Sequence, residues 1–451
     1  MNQEKKVLQV GIEDQLSKRH TLAFGVQHLL GLTGIFLFPV LIGQAMGLET
    51  SMIGYLIQAC FITTGIVTVL QSGKMLKLPV VQGPTAVFFA ILLSVGLDQG
   101  LGTAFGSMMV AGMIMMLLSI PIKKWGLMAY VVRFVSPPLV YGTLLVIIGA
   151  QLAEIGLSGW FGVGGTTSIN FFAALVTVLA VIILMVVGGN TILRRGSVLL
   201  GIIIGTIFYS IIQPISMTAV NEASWVGLPQ LFPFGFSISI AAVGMFLLAF
   251  LHASAESVGM YNLLGGWSNQ EISKERANRG LFGEFFGCTI GAIFGGLGTT
   301  SYPENIGIIR VTGIGSRYVT YTAGIVAIII GFIPKIGILI ASIPGSILSG
   351  ASTILFGVIA LSGIQMLSTV KWDDLNLTVA ATAFIISLGT MHLPADIVEG
   401  MPYAVRSIVA EPMLVGLILL VGLNIIVNLI IRPRLEKETN DDYEKTLKNA
   451  G

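Results

Sequence analysis

The chain is 451 residues long, 54% apolar and 10% charged, with 24 Lys and Arg against 22 Asp and Glu. Soluble domains carry about 25% charged residues, so this composition excludes a soluble enzyme, a disordered tail protein and a nucleic-acid binder. The net charge of +2 implies no polyanionic partner, and function has to be sought in where the few charges sit.

The first 20 residues are polar and lack the apolar core of a signal peptide. A membrane helix needs about 20 mainly apolar residues. Fourteen candidate segments follow, at 22–46, 50–72, 79–96, 103–121, 127–152, 170–188, 197–216, 236–262, 281–298, 303–314, 318–334, 338–365, 375–392 and 410–431. The 303–314 segment is too short and too polar to cross a bilayer alone. With the N-terminus inside and strict alternation, the inside segments hold Lys5, Lys6, Lys18, Arg19, Lys74, Lys77, Lys123, Lys124, Arg133, Arg194, Arg195, Lys274, Arg276, Arg279, Arg310, Arg317 and Lys371. The C-terminal tail adds Arg432, Arg434, Lys437, Lys445 and Lys448, making 22 of the 24 basic residues, with only Lys335 and Arg406 outside. By the positive-inside rule this predicts an even number of crossings with both termini cytoplasmic.

Fourteen segments divide as seven plus seven, and an odd number per half places the halves in opposite orientations. The third segment opens with LPVVQGPTAVFF (78–89) and the tenth with GTTSYPENIGIIR (298–310). Each carries a Gly- or Pro-centred break, at corresponding places in the two halves. Paired interruptions are the best pointer in a sequence to a transporter's binding site, because irregular backbone at membrane depth must be buried in protein or line a cavity. The helices that follow, starting near Thr85 and Asn305, would aim free N–H groups and a positive dipole end at a ligand. The plain alternative is that Pro84 and Pro303 only kink two helices.

Three acids lie inside apolar segments: Glu256, Glu284 and Glu304. An acid at the bilayer centre is costly and usually functional, and carriage of a proton through part of a cycle suits such residues. Glu284, in GLFGEFFG near the start of its helix, reads as a hydrogen-bonding support for a broken segment, whereas Glu256 and Glu304 read as functional. His252 precedes Glu256 by four residues, on the same helix face. Two ligands are too few for a metal site, so proton relay or plain hydrogen bonding is the reading. His28, in VQHLLG, is a further deep polar group, and a histidine so placed is commonly a satisfied packing residue. Tyr302, Phe88 and Phe89 flank the breaks and could stack on a flat ligand. Cys60 and Cys288 lie in apolar runs and suggest neither a disulfide framework nor zinc. No nucleotide-binding loop, nucleophile elbow or zinc motif is present, so no cofactor is expected and transport would draw on an ion gradient.

Pro303-Glu304-Asn305-Ile306-Gly307 through Thr312-Gly313 resembles the signature of the nucleobase–ascorbate transporters, also called nucleobase:cation symporter-2 or xanthine/uracil permeases. Gln27-His28-Leu29, Ala255-Glu256-Ser257-Val258-Gly259 and Leu78-Pro79 to Gln82-Gly83 are similar to three more motifs of that family, in order and with similar spacing. The resemblance implies an all-α protein of fourteen transmembrane segments in inverted repeats, with short strands in broken segments 3 and 10. It implies a cytoplasmic tail at 1–20, a core domain at 21–126 and 236–335, a gate domain at 127–235 and 336–432, and a second tail at 433–451. Glu256 and Glu304 then match substrate contacts, with Thr85, Ala86, Phe88, Tyr302 and Asn305 around them. His28, beside Gln27, and Glu284 match support or coupling positions, and His252, one turn before Glu256, is grouped with them from its place in the helix. A nucleobase offers adjacent N–H donors, which suit a carboxylate that accepts side by side.

The chain departs from the family pattern in places. Ala86 stands where a stacking Phe is usual, so Phe88 or Tyr302 would have to supply the aromatic face, and Pro303 lacks an N–H. Met260 replaces a His of the uracil members, while Thr312-Gly313 and Ser316-Arg317 look more like the purine members. The reading is a plasma-membrane symporter importing a purine such as xanthine or urate with protons, Na⁺ being possible, and forming a homodimer. Uracil is the first alternative; an anion transporter of the sulfate-permease type and a channel are rivals on the same architecture.

Overall fold

A computed structural model describes residues 7–122, 126–162, 168–189 and 191–437. Lys5, Lys6, Lys123, Lys124, Lys445 and Lys448 of the charge pattern lie outside the described residues, as do parts of both expected tails.

Among the described residues the chain is mostly helical and strand-poor. Nine helices are long and apolar enough to cross a membrane, or ten if Arg317–Gly331 and Pro334–Ala341, bent by 82°, form one span. The protein is thus a multi-span membrane protein. Where helix ends differ from the sequence reading, prolines, a glycine and a serine cap account for the shifts. The stretch read at 127–152 is a short helix, Met128–Val131, and a long one, Pro138–Ser158; Pro137 and Pro138 interrupt the run, and proline belongs in the first turn of a helix. The stretch read at 338–365 is likewise divided, into Pro334–Ala341 and Gly345–Leu367 with Pro344 between. The first span holds Lys18–Leu30 and Gly34–Ala45, with Gly31 closing the first piece. The helix read at 281–298 is Lys274–Phe294: it starts earlier because Ser273 accepts the Arg276 N–H as an N-cap.

The chain divides into two compact units, Met1–Val132 with Leu152–Gly357, and Arg133–Gln151 with Val358–Gly451. In the first, Thr50–Leu70 packs along Arg317–Gly331 at backbone contact distance. A Cβ on Gly65 would lie 2.5 Å from the Gly324 carbonyl oxygen, the close approach that small residues permit between membrane helices. In the second, Arg432 donates to both carboxylate oxygens of Asp373, at 2.7 and 2.9 Å, and its Nε donates to Asn428 Oδ1 at 2.9 Å. The Arg432 hydrogen bonds hold the Asp373 carboxyl well below the usual carboxylate range. Buried Ser387 donates to the Pro412 carbonyl within the same unit.

Candidate functional site

Both sequence interruptions are real breaks, and they meet. Gln82–Pro84 (β1) and Thr299–Ser301 (β2) form an antiparallel pair with Gln82 opposite Ser301, Gly83 opposite Thr300 and Pro84 opposite Thr299. The pairing continues at the ends, where Tyr302 N–H donates to Val81 O at 2.9 Å and Thr85 N–H to Gly298 O at 3.4 Å. All six strand residues are buried. Pairing satisfies backbone groups that an interrupted helix would otherwise leave bare.

A helix leaves each strand. Ala86–Gln99 starts after Thr85, and Pro303–Thr312 starts after Tyr302 with Pro303 in its first turn. The two ends differ in the donors they offer. Pro303 has no N–H, and the Asn305 N–H, expected to be free, donates to Tyr302 O at 3.2 Å. The second helix therefore presents fewer open donors than its dipole alone suggests.

The three intramembrane acids converge on this strand pair. Glu256, on Ile240–Trp267, accepts from Thr300 Oγ1 at 3.1 Å. Glu284, on Lys274–Phe294, accepts from Ser257 Oγ at 2.7 Å and from Tyr261 Oη at 3.2 Å. Ser257 Oγ in turn accepts the Ser301 N–H at 3.0 Å. A relay thus runs from β2 through Ser257 to a fully buried carboxylate. Glu304 sits in the first turn after β2, and its enclosed Oε2 has no hydrogen-bond partner among the described residues.

The other expected residues fall close by. The Asn305 amide nitrogen lies 2.9 Å from His28 Nδ1 and 3.0 Å from the His28 carbonyl oxygen. A carbonyl can only accept, so this nitrogen donates to both, and the neutral His28 carries its proton on Nε2. Asn305 Oδ1 and the buried Gln27 Nε2 have no partners among the described residues. Thr85 and Ala86 are buried at the first junction, and His252 is buried one turn before Glu256. The three candidate stacking rings are already packed, Phe89 against Phe38 at 4.9 Å. Phe88 is 4.7 Å edge-on from Phe250 and 6.5 Å from Phe246. Tyr302 accepts the Gly34 N–H at 3.2 Å and covers Gly83, where a Cβ would lie 2.6 Å from its ring.

Several supports are not visible in the sequence. Thr68 Oγ1 accepts the Gln82 N–H at 3.0 Å, and Gln82 Nε2 donates to Ser301 Oγ at 2.9 Å. Both free cysteines bind the second break: Cys60 Sγ accepts from Leu297 N–H at 3.4 Å and Cys288 Sγ from Thr299 N–H at 3.2 Å. Ser, Thr and Cys in an apolar run carry no positional signal; only their partners, far away in the chain, give them meaning.

A family model described as Permease family matches residues 19–396. The xanthine permease of Bacillus subtilis is 29% identical over 437 residues, covering 94% of this chain and 98% of that protein. A uric acid permease of the same organism is 30% identical over 397 residues, 85% of this chain and 90% of that protein. Its uracil permease is 29% identical over 402 residues, 85% and 89%. Among solved structures, the transmembrane domain of a cyanobacterium bicarbonate transporter matches with a TM-score of 0.61 over 92% of this chain and all of that one, at 16% identity. That last likeness is one of fold.

Proposed function

The chain belongs to the xanthine/uracil permease family, the nucleobase–ascorbate transporters, and from that premise we propose that it imports a purine nucleobase such as xanthine or urate by proton symport. It is a permease and not an enzyme. The observation that carries the substrate reading is that two carboxylates converge on one strand–helix junction. Glu256 is bonded to Thr300, and Glu304 lies four residues further along the same segment with an acceptor oxygen to spare. Adjacent N–H donors of a nucleobase would be taken by such acceptors, through charge-assisted bonds stronger than neutral ones.

In this reading Glu256 and Glu304 hold the base, with Asn305, Thr85 and Ala86 beside it. Phe88 and Tyr302, whose rings are engaged in packing, back the site rather than stack freely. His28 and Gln27 fix Asn305 and its surroundings, while Glu284 and His252 support the strand pair and the proton path. The fourteen segments form inverted repeats, and the core at 21–126 and 236–335 moves against the gate at 127–235 and 336–432. The protein lies in the plasma membrane with both termini cytoplasmic, as a homodimer joined through its gate domains. Sodium would replace the proton if the same carboxylates held it instead. Uracil is the second reading, favoured by the similarity to the uracil permease. An anion carrier would place a cation or neutral dipoles where Glu256 and Glu304 stand. The test is uptake of radiolabelled xanthine, urate and uracil by cells expressing the protein, with and without an uncoupler.

A further inference from the structure

The sequence reads residues 1–20 as a cytoplasmic tail, yet the part from Leu8 onward is built into the molecule. Leu8 and Ile12 are buried at 3% and 5% exposure. Val10 forms a parallel bridge with Ile314. Gln9 and Val10 N–H groups donate to Gly313 O at 2.7 and 3.0 Å, Gly315 N–H to Val10 O at 2.9 Å, and Arg317 N–H to Ile12 O at 3.0 Å. Ser316 Oγ donates to Asp14 O at 2.6 Å. A Cβ at Gly315 would lie 2.9 Å from the Leu8 Cδ atoms and 3.1 Å from the Val10 carbonyl oxygen, so the Gly-Ile-Gly loop lies close against this segment.

One guanidinium locks the assembly. Arg317 Nε donates to both Glu13 oxygens at 2.9 Å, and its Nη2 lies 2.8 Å from Glu13 Oε2. Its Nη1 donates to the Ser72 carbonyl at 3.1 Å. Ser72 Oγ donates to the Val80 carbonyl at 3.0 Å, two residues before β1. The loop that receives the N-terminal segment ends the helix Pro303–Thr312, whose other end carries Glu304 and Asn305. Ten residues at 1.5 Å each make a rod about 15 Å long.

We propose that residues 8–17 form a strap that positions the half-helix bearing Glu304 and Asn305, with Glu13 and Arg317 as positioning residues for the substrate site. The strap holds the far end of that half-helix through Gly313 and Gly315, and Arg317 joins the same clamp to the segment leading into β1. Neither residue touches the site. Each acts on it through a rigid helix and a strand pair. The functional part of this inference rests on the nucleobase-transport reading; the mechanical part does not.

The test uses the full-length protein as wild type, E13Q, E13R, R317E and the double variant E13R/R317E. Two readouts are taken: hydrogen exchange of peptides covering 303–317, and xanthine uptake with KM and maximal rate separated and normalised to protein in the membrane. We expect exchange over 303–312 to rise at least tenfold in E13R, and less in E13Q, while Leu101–Leu118 is unchanged. KM should rise about fivefold or more with little change in maximal rate, and the charge-swapped double variant should recover both only in part, because the swap restores the ion pair but not the hydrogen bond that Arg317 Nη1 donates to the Ser72 carbonyl. Unchanged exchange over 303–312 in E13R overturns the strap. So does a KM in E13Q and E13R within twofold of wild type, or a loss in R317E that only tracks membrane abundance. If wild type takes up no nucleobase, the transport reading fails, while the exchange data still decide the strap.

Discussion

Replacing Glu256 by Gln isolates the charge of the proposed base-binding carboxylate. The side chain keeps its volume, so packing along Ile240–Trp267 is undisturbed, and the amide oxygen can still accept from Thr300 Oγ1, now 3.1 Å from Oε2. That choice turns the amide NH₂ toward whatever the second carboxylate oxygen faced. A base that presented an N–H there loses an acceptor and meets a donor. Hydrogen bonds to charged groups contribute about 1.5–3 kcal/mol each. At about 1.4 kcal/mol per decade, loss of one or two of them weakens binding by roughly 10- to 10⁴-fold. The assay is xanthine binding by thermal shift on purified protein, alongside uptake normalised to protein in the membrane. Binding should fall by at least tenfold and uptake to background, with the unliganded melting temperature within a few degrees of wild type. Binding within threefold of wild type would refute the reasoning, because the charge would then be irrelevant to the ligand.

Glu304→Gln should alter the preference among bases or the dependence of uptake on an uncoupler; identical uptake across a panel of bases would count against its role. Ser257→Ala removes one of two donors to buried Glu284, which keeps Tyr261 Oη, and the acceptor of the Ser301 N–H, and should cost about 1–3 kcal/mol of stability, the penalty for one orphaned buried group; a shift in unfolding midpoint equivalent to under 0.5 kcal/mol would show the relay to be idle. Gly83→Ala places a Cβ 2.6 Å from the Tyr302 ring in the centre of β1 and should abolish transport, whereas Gly244→Ala, with open space around it, should not; equal activity of the two disproves the close approach. The Glu13 carboxyl is held below its ordinary range by the Arg317 hydrogen bonds. Its contribution is therefore present above the unfolded carboxylate pKa of about 4 and lost as pH falls below it. Protection of the strap against proteolysis should be flat from pH 5 to 8, and a loss between pH 6 and 7 would assign the hold to another group.

Much of the site could be read in the chain because it breaks local rules. Pro84 and Pro303 interrupt apolar runs, and Glu256, Glu284 and Glu304 stand where charge is expensive; each is an anomaly within a few residues of sequence. The short strands are expected from the family resemblance and not from the breaks themselves; their pairing gives bare backbone at membrane depth the partner it needs. The relay from Ser301 through Ser257 to Glu284 could not be read, because a serine in a helix looks the same whether it faces lipid or a strand. Its partners stand 44 and 27 positions away. The strap was hidden for a related reason: Leu8 and Ile12 alone make too short an apolar pattern to announce a buried segment, and Val10 meets Ile314 across nearly the whole core of the chain. Helix ends shifted wherever proline or an N-cap overrode hydropathy, as at Pro138 and Ser273.

The central claim is tested most directly in proteoliposomes containing the purified protein, with an imposed inward proton gradient and xanthine, urate, guanine, adenine and uracil offered in turn. The account predicts saturable accumulation of xanthine or urate that exceeds equilibration, collapses with an uncoupler and is absent in Glu256→Gln. Accumulation of none of the five bases, or of bicarbonate or sulfate in their place, would contradict it.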